Sequence, residues 1–288
     1  EKYQIPGMPS AFDKTGSACC LSITLKDAAT GVQVELLYGV FEAENVITRA
    51  VRVINAGDSV VMLEQAASAC LDIPFGSWQL IHFHGRHTME RMPERRDLIQ
   101  GIQTVSSTRG ATSHQHNPFV ILCQPETTED YGECYGMMLV YSGNHKTDIE
   151  LDQARSVRAV MGIHDAGFCW MLEPGQVFDT PEVLMTYTDR GLTRLSQTYH
   201  HFIRHNICRS HFALERRPVL LNSWEAAYMD ISEEKLLSIA QGAKELGVEL
   251  FVIDDGWFGQ RDDDFRSLGD WFPNRRKLPQ GLKPTLEK

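Results

Sequence analysis

The hydrophobic pattern of this 288-residue chain changes its period at about Thr188. Before that residue, apolar side chains alternate with polar ones in short β-branched and aromatic runs, such as residues 34–41 and 47–53. Turn sequences separate these runs roughly every ten residues, and residues 55–58 are one example. Alternation with frequent turns is typical of antiparallel sheets, so we expect a β-sandwich domain over residues 1–187.

Beyond Thr188, apolar residues fall on one face of a helix with a 3.6-residue period, which predicts a linker helix over residues 188–214. Two continuous apolar runs follow at residues 218–222 and 249–253, and Ser232 is a plausible helix N-cap between them. A strand, a helix and a second strand, both strands apolar throughout, predict a right-handed parallel unit buried on both faces.

Two α/β folds begin with such a unit. A dinucleotide-binding sheet needs a G-x-G-x-x-G loop after its first strand, whereas this chain has the sequence Asn-Ser-Trp-Glu-Ala at residues 222–226. The sequence therefore favours a (β/α)8 barrel starting at about residue 215. A complete barrel takes about 250 residues, so we expect residues 215–288 to hold an incomplete barrel and the chain to be a fragment.

Composition limits the class of partner. Lys and Arg total 28 against 38 Asp and Glu, a net charge of −10, whereas nucleic-acid binding needs clustered basic residues. We expect no nucleic-acid partner and a neutral ligand.

Seven cysteines without CxxC spacing predict structural thiols in a reducing compartment. No secretory leader pattern opens the chain and no apolar run approaches the roughly 18 residues of a membrane span, so we expect a cytoplasmic protein without a membrane partner.

Polar and aromatic residues stand at the ends of the two barrel strands, where chemistry gathers in barrels. Trp224 follows the first strand, and Asp254 and Asp255 follow the second. Carboxylates accept hydrogen bonds from hydroxyl groups, and an indole offers an apolar face to sugar C–H groups. Neighbouring strand residues point to opposite sides, so this pair is poorly placed to flank a scissile bond as acid and nucleophile. The pattern indicates a sugar-orienting role, with a plain Asp-Asp-Gly turn as the alternative.

Longer segments of the chain resemble glycoside hydrolase family 36. The part that resembles the opening of that family's catalytic barrel comprises residues 222–228, 244–259, 261–264 and 268–272. The part that resembles its N-terminal β-supersandwich comprises residues 38–42, 46–49 and 109–119. The resemblance thus runs along nearly the whole chain and implies a β-supersandwich followed by the start of a TIM barrel.

The resemblance implies a retaining α-galactosidase that acts on melibiose- and raffinose-type oligosaccharides through a covalent galactosyl-aspartate, without metal or organic cofactor. It implies that Asp254 and Asp255 hold galactose hydroxyls and that Trp224 walls the site. The family's nucleophile and acid/base lie on later strands, beyond Lys288, so we expect no catalytic residue here and no activity of the chain alone. Intact relatives are expected to be homotetramers. A raffinose-synthase-like galactosyl transferase and a non-catalytic sugar-binding or assembly fragment remain the alternatives.

Two other clusters have simpler interpretations. His82, His84 and His87 stand close together in the sequence, and His114 and His116 form a second, separate pair. Two histidines at alternate strand positions share one face and can bind a metal, but no obvious further ligand completes a tetrahedral set, and we expect no metal. We expect residues 114–118 to make buried loop hydrogen bonds or a domain contact. The acidic triplet at residues 262–264 is expected to pair with Arg261 and Arg266.

Overall fold

A computed structural model describes residues 2–288, and the chain divides into two compact units, Glu1–Ala213 and Leu214–Lys288. The strands of the first unit are β1 (Cys19–Lys26), β2 (Val32–Phe41), β3 (Val46–Asn55), β4 (Val61–Leu63), β5 (Ala67–Ile73), β6 (Gln79–Arg86), β7 (Met89–Asp97), β8 (Gly101–Ser107), β9 (His116–Cys123), β10 (Cys134–Val140), β11 (His145–Leu151), β12 (Val157–Ile163), β13 (Trp170–Leu172), β14 (Val177–Asp179) and β15 (Glu182–Thr188). Helix α1 (Gly191–Phe202), a π-helical turn (Ile203–Ile207) and a 3₁₀ turn (His211–Leu214) follow.

The first unit is an antiparallel sandwich. Its larger sheet has nine strands in the order β1-β2-β3-β15-β10-β9-β6-β7, with β14 paired to β3, and it faces a four-stranded sheet of order β5-β12-β11-β8. Strands β4 and β13 form a separate pair. The main core lies between the two large sheets, where Leu80, Leu122 and Met137 meet Ile149 and Met161. Burying these aliphatic side chains stabilises the sandwich by roughly 25 cal/mol per Å² of apolar surface.

Strand β10 shows why alternation in the sequence produces this arrangement. Met137 and Leu139 point into the core between the sheets, whereas Met138 and Val140 point to the opposite face. Because successive side chains of a strand project to opposite sides, one strand supplies two cores. Helix α1 covers the second face with a periodic apolar stripe, whose fully buried members are Leu195, Tyr199 and Phe202.

A buried ion pair fixes the N-terminal segment of the sandwich unit. The Lys2 Nζ donates to Glu182 Oε1 at 2.7 Å, and the Ala11 amide donates to Glu182 Oε2 at 2.5 Å. The side chains of Lys2 and Glu182 are 2% and 0% exposed. Strand β15 therefore carries a carboxylate whose two oxygens bind different parts of the segment that precedes β1.

The second unit begins as the sequence predicts. Its elements are β16 (Leu220–Asn222), α2 (Trp224–Ala227), α3 (Glu233–Glu245), β17 (Leu250–Val252) and α4 (Leu282–Leu286). Strands β16 and β17 pair in parallel, with Asn222 opposite Val252. Ser232 caps α3 by accepting a hydrogen bond from the Lys235 amide at 3.2 Å, and Gly247 ends it with a φ of +80°.

Two expectations need correction. Leu220 and Leu250 are exposed, although continuous apolar strands predicted burial on both faces, because two paired strands give this sheet too few neighbours to cover them. The cysteines were expected to be structural thiols, but only Cys123 and Cys134 are buried and the other five are exposed. Burial raises the pKa of the Cys134 thiol to about 12. Among the described helices, none is long and apolar enough to cross a membrane.

Candidate functional site

The parallel pairing of β16 and β17 brings their C-terminal ends to one edge of the second unit. Two hydrogen bonds through side chains join these ends. Asn222 Nδ2 donates to Asp254 Oδ2 at 2.7 Å, and the Asp254 amide donates to Ser223 Oγ at 3.0 Å. The second strand end is thereby fixed to the first, and Asp254 is held at the edge in a half-buried position.

Asn222 also positions the aromatic side of the site. Its Oδ1 accepts a hydrogen bond from the Trp224 amide at 2.7 Å, which starts the short helix α2 directly after β16. Trp224 is half-buried, and its ring meets the Tyr228 ring edge-on, with centroids 5.2 Å apart. One amide side chain therefore contacts both the backbone that carries Trp224 and the carboxylate of Asp254.

Asp255 is held by a different partner. Arg261 Nε lies 3.1 and 3.0 Å from its two carboxylate oxygens, and Arg261 Nη2 lies 3.0 Å from Oδ2. The Gly256 amide donates to Oδ1 at 2.8 Å. Burial favours the neutral acid, but hydrogen bonds from Arg261 and Gly256 more than offset it, and the pKa of Asp255 lies below its ordinary value.

The two carboxylates thus differ in their free acceptor capacity. An ionised carboxylate has about four lone-pair sites. The protein contacts of Asp255 engage both of its oxygens several times, whereas Asp254 accepts one bond from Asn222 on Oδ2 and one from the Asp255 amide on Oδ1. Asp254 therefore has more capacity left for hydroxyl donors of a ligand.

The structure brings Trp224, Asp254 and Asp255 to the same strand-end edge, and their role as substrate ligands stays a prediction. Sequence reasoning missed Asn222 as the residue that joins them, although it stands within a segment singled out for the resemblance. Half-exposed acceptors next to an aromatic ring suit a neutral polyhydroxylated ligand, since such sites combine a few placed polar groups with an apolar surface.

The acidic triplet forms ion pairs, as expected, but with more partners than the sequence indicated. Asp263 pairs with Arg266 at 3.0 Å, and Arg261 lies 3.7 Å from Asp264. Asp262 instead pairs with Lys277 at 2.9 Å and with Arg276. The local sequence around Asp262 does not indicate Lys277 as its partner, because Lys277 stands 15 residues further along the chain in an irregular loop.

The histidine cluster lies in the sandwich unit. His82 is buried, with Nε2 3.4 Å from Glu94 Oε2, and His84 Nε2 lies 3.7 Å from the same oxygen. His116 begins strand β9 instead of lying in a loop, and its carbonyl oxygen lies 3.0 Å from His145 Nε2. In residues 2–288, no group of three or more His, Cys, Asp or Glu side chains is arranged to hold a metal ion.

Family comparisons agree with both units. Residues 1–173 match the Glycosyl hydrolase family 36 N-terminal domain, and residues 177–288 match the Melibiase family. The chain belongs to glycosyl hydrolase family 36. The resemblance on which the sequence predictions rested is therefore confirmed.

Individual relatives of this family 36 chain are α-galactosidases. It is 48% identical over 282 residues to alpha-galactosidase AgaA of Geobacillus stearothermophilus, covering 98% of this chain and 39% of that protein. It is 47% identical over 283 residues to alpha-galactosidase 1 of Pediococcus pentosaceus, covering 98% of this chain and 38% of that protein. The chain thus spans well under half the length of these relatives.

Solved structures confirm the fold class. The crystal structure of AgaA superposes with a TM-score of 0.94 at 47% identity and covers 99% of this chain and 40% of that one. An AgaA variant in complex with 1-deoxygalactonojirimycin gives a TM-score of 0.95 with the same coverage. The family 36 chain therefore has the predicted arrangement, an antiparallel β-supersandwich followed by the start of the barrel.

Proposed function

We propose that this chain is the sugar-holding part of a retaining α-galactosidase that removes terminal α-galactosyl residues from melibiose- and raffinose-type oligosaccharides. The observation that carries the proposal is the strand-end arrangement of Trp224, Asn222 and Asp254 in a family 36 chain. Crystal structures of AgaA variants contain stachyose and raffinose. These oligosaccharides are the substrate class we infer for the protein to which the chain contributes.

In this proposal, Asp254 and Asp255 accept hydrogen bonds from galactose hydroxyls. Such bonds to a charged acceptor contribute about 1.5–3 kcal/mol each. Arg261 keeps Asp255 anionic and fixes its direction, whereas Asp254 offers the larger free capacity. Trp224 supplies an apolar wall for the sugar's C–H groups. No metal ligand or organic cofactor enters this account.

The cleavage step needs carboxylates in another arrangement. A retaining glycosidase places its acid/base and nucleophile about 5–5.5 Å apart, on either side of the scissile bond. Asp254 and Asp255 are adjacent in the chain, and both are bound by neighbouring side chains at one strand end. We propose that the nucleophile and the acid/base come from barrel strands outside these residues, and that the chain alone does not hydrolyse galactosides.

A chimera tests the proposal. The 288 residues replace the matched segment of AgaA, and the release of p-nitrophenol from p-nitrophenyl α-galactoside is measured. The chimera should be active, and Asp254→Asn should lower kcat/KM by about 10- to 150-fold, the equivalent of one lost bond of about 1.5–3 kcal/mol. Asp58→Asn, in an exposed turn of the sandwich, is the matched control and should leave kcat/KM unchanged.

Other outcomes would contradict the assignment. A chimera that elutes as folded protein but is inert on the α-galactoside, or cleaves an N-acetylgalactosaminide in preference, would show the substrate class to be wrong. Transfer of galactose to sucrose in preference to water would make the protein a raffinose-synthase-like transferase. Homotetrameric assembly and a cytoplasmic location stay predictions, which light scattering and cell fractionation of the intact protein can check.

A further inference from the structure

Lys277 lies where the two strand-end loops meet. The first loop, residues 223–232 with helix α2, carries Trp224, and the second loop, residues 253–281, carries the paired carboxylates and Lys277 itself. The Lys277 Nζ donates to the Met229 carbonyl of the first loop at 2.7 Å. It also donates to two carbonyls of the second loop, those of Gly256 at 3.0 Å and Arg261 at 2.9 Å. One ammonium therefore joins both loops.

The loops approach each other closely at the same place. A Cβ atom on Gly256 would lie 2.8 Å from Met229 Cα, and Gly256 has a φ of +89°, which favours glycine. The carbonyl groups of Gly256 and Met229 that Lys277 binds belong to this contact. The separation of the loops is therefore set by backbone contact on one side and by a shared cation on the other.

Lys277 is itself well anchored. Its neighbour Leu278 is fully buried in the core of the second unit, and the Leu278 amide donates to the Asn274 carbonyl at 2.8 Å. The Lys277 side chain is 10% exposed, and Asp262 Oδ1 lies 2.9 Å from Nζ. Because three carbonyls and a carboxylate surround the ammonium, its position is defined by the fold and not by solvent.

We propose that Lys277 is a positioning residue for galactose recognition, which sets the distance between Trp224 on the first loop and Asp254 and Asp255 on the second. The inference rests on the proposed function, because it concerns the same sugar site. Lys277 reaches the carboxylates through two neighbours: Gly256 directly follows Asp255, and Arg261 forms the ion pair with Asp255. Loss of the ammonium removes the hydrogen bonds that join the loop carrying Trp224 to the loop carrying the two carboxylates.

Variants of the chimera separate positioning from simple folding. Lys277→Met keeps the length of the side chain and removes its donors, and Lys277→Arg keeps the charge but has a planar group of different geometry. The matched control is Lys283→Met, because Lys283 is exposed on α4 and its charged group lies 3.6 Å from Glu287 on the same helical face. The readouts are kcat, KM and the inhibition constant of 1-deoxygalactonojirimycin.

Lys277→Met should lower kcat/KM by about 100-fold, the scale expected for displacing a binding group by about 1 Å, and should raise the inhibition constant. The kcat/KM and the inhibition constant of Lys277→Arg should lie between those of Lys277→Met and those of the unmodified chimera. The inhibition constant does not depend on how much enzyme is folded, so a purely structural role would reduce the active fraction and leave this constant unchanged. An inhibition constant and KM within about twofold of the unmodified values, far below the effect of such a displacement, would overturn the proposal.

A second measurement uses the 288-residue chain itself. Amide hydrogen exchange in Lys277→Met should speed up in residues 226–232 and 254–262, while α3 keeps its protection. Unchanged exchange in both loops would count against the proposal, and Lys277→Arg gives the same readout if Lys277→Met does not fold. An unmodified chimera without activity would refute the proposed function alone, since loop exchange would still report on Lys277.

Discussion

The buried pair Lys2–Glu182 gives a sharp test of what holds the sandwich unit together. Lys2→Met removes the cation and leaves the Glu182 carboxylate fully buried, with the Ala11 amide and the Tyr3 side chain as neighbouring donors. Burial lowers the pKa of Lys2 and the Glu182 charge opposes that shift, so desolvation of the pair is only partly offset. Removing one partner of this pair therefore destabilises the protein more than replacing both partners by uncharged side chains.

The magnitude follows from this burial. Removing one partner of a buried ion pair destabilises a protein by about 3–5 kcal/mol, because an uncompensated charge stays behind. For a unit of this size, each kcal/mol lowers the melting temperature by about 2–4 °C. Lys2→Met should therefore lower the melting temperature of the sandwich unit by roughly 6–20 °C.

The assay is differential scanning calorimetry of the 288-residue chain. Adding Glu182→Gln to Lys2→Met should recover part of the loss, because glutamine removes the buried charge and keeps an oxygen for the Ala11 amide. Arg158→Met is the control, since the Arg158–Asp72 pair has a similar distance of 2.7 Å but both side chains are more than half exposed. A double variant less stable than Lys2→Met alone would refute the reasoning.

Two further predictions concern the strand-end site. The pKa of Asp255 is lowered in the folded state, so its pairing with Arg261 stabilises the second unit at pH values above the ordinary Asp pKa of 3.8. This stabilisation is lost as the pH falls through the lowered pKa. Urea midpoints below about pH 4 should therefore fall more steeply with decreasing pH in the unmodified chain than in Arg261→Met. Gly256→Ala should destabilise this unit by about 1–3 kcal/mol, through backbone strain and a clash of the new Cβ with Met229. Gly242 lies in an open position on α3, so Gly242→Ala should not destabilise the unit. Equal urea midpoints for the two variants would contradict this prediction.

Much of the fold follows from local patterns in the sequence. The alternation in residues 34–41 and 47–53 predicts strands because side chains of a strand alternate between faces, and these residues lie in β2 and β3. Ser232 predicts the start of α3 because its hydroxyl caps an amide within the same turn. In each case the interaction that forms the element joins residues only a few positions apart, so the local sequence pattern predicts it.

The contacts that shape the site are of another kind. Lys277 binds three backbone carbonyls, and any residue type supplies a carbonyl, so no side-chain pattern marks its partners. The pairing of Asp255 with Arg261 depends on how the loop turns after Gly256. The exposure of Leu220 depends on which strands lie beside β16, which the apolar run itself does not state. The sequence thus indicates Trp224, Asp254 and Asp255 as candidate site residues, but it does not indicate the contacts that hold them.

Arg261 decides what the adjacent carboxylates can do. Two like charges close together usually raise the pKa of one of them, and a raised pKa is what a carboxylic acid needs to act as a proton donor near neutral pH. Burial of Asp255 also raises its pKa, but the Arg261 guanidinium and the Gly256 amide act in the opposite direction and bring it below the ordinary value. Asp255 is thereby kept as an anion, which accepts hydrogen bonds from hydroxyl groups and does not protonate a leaving group. The electrostatics of this strand end therefore disfavour Asp255 as a proton donor and agree with the sugar-holding role proposed for it.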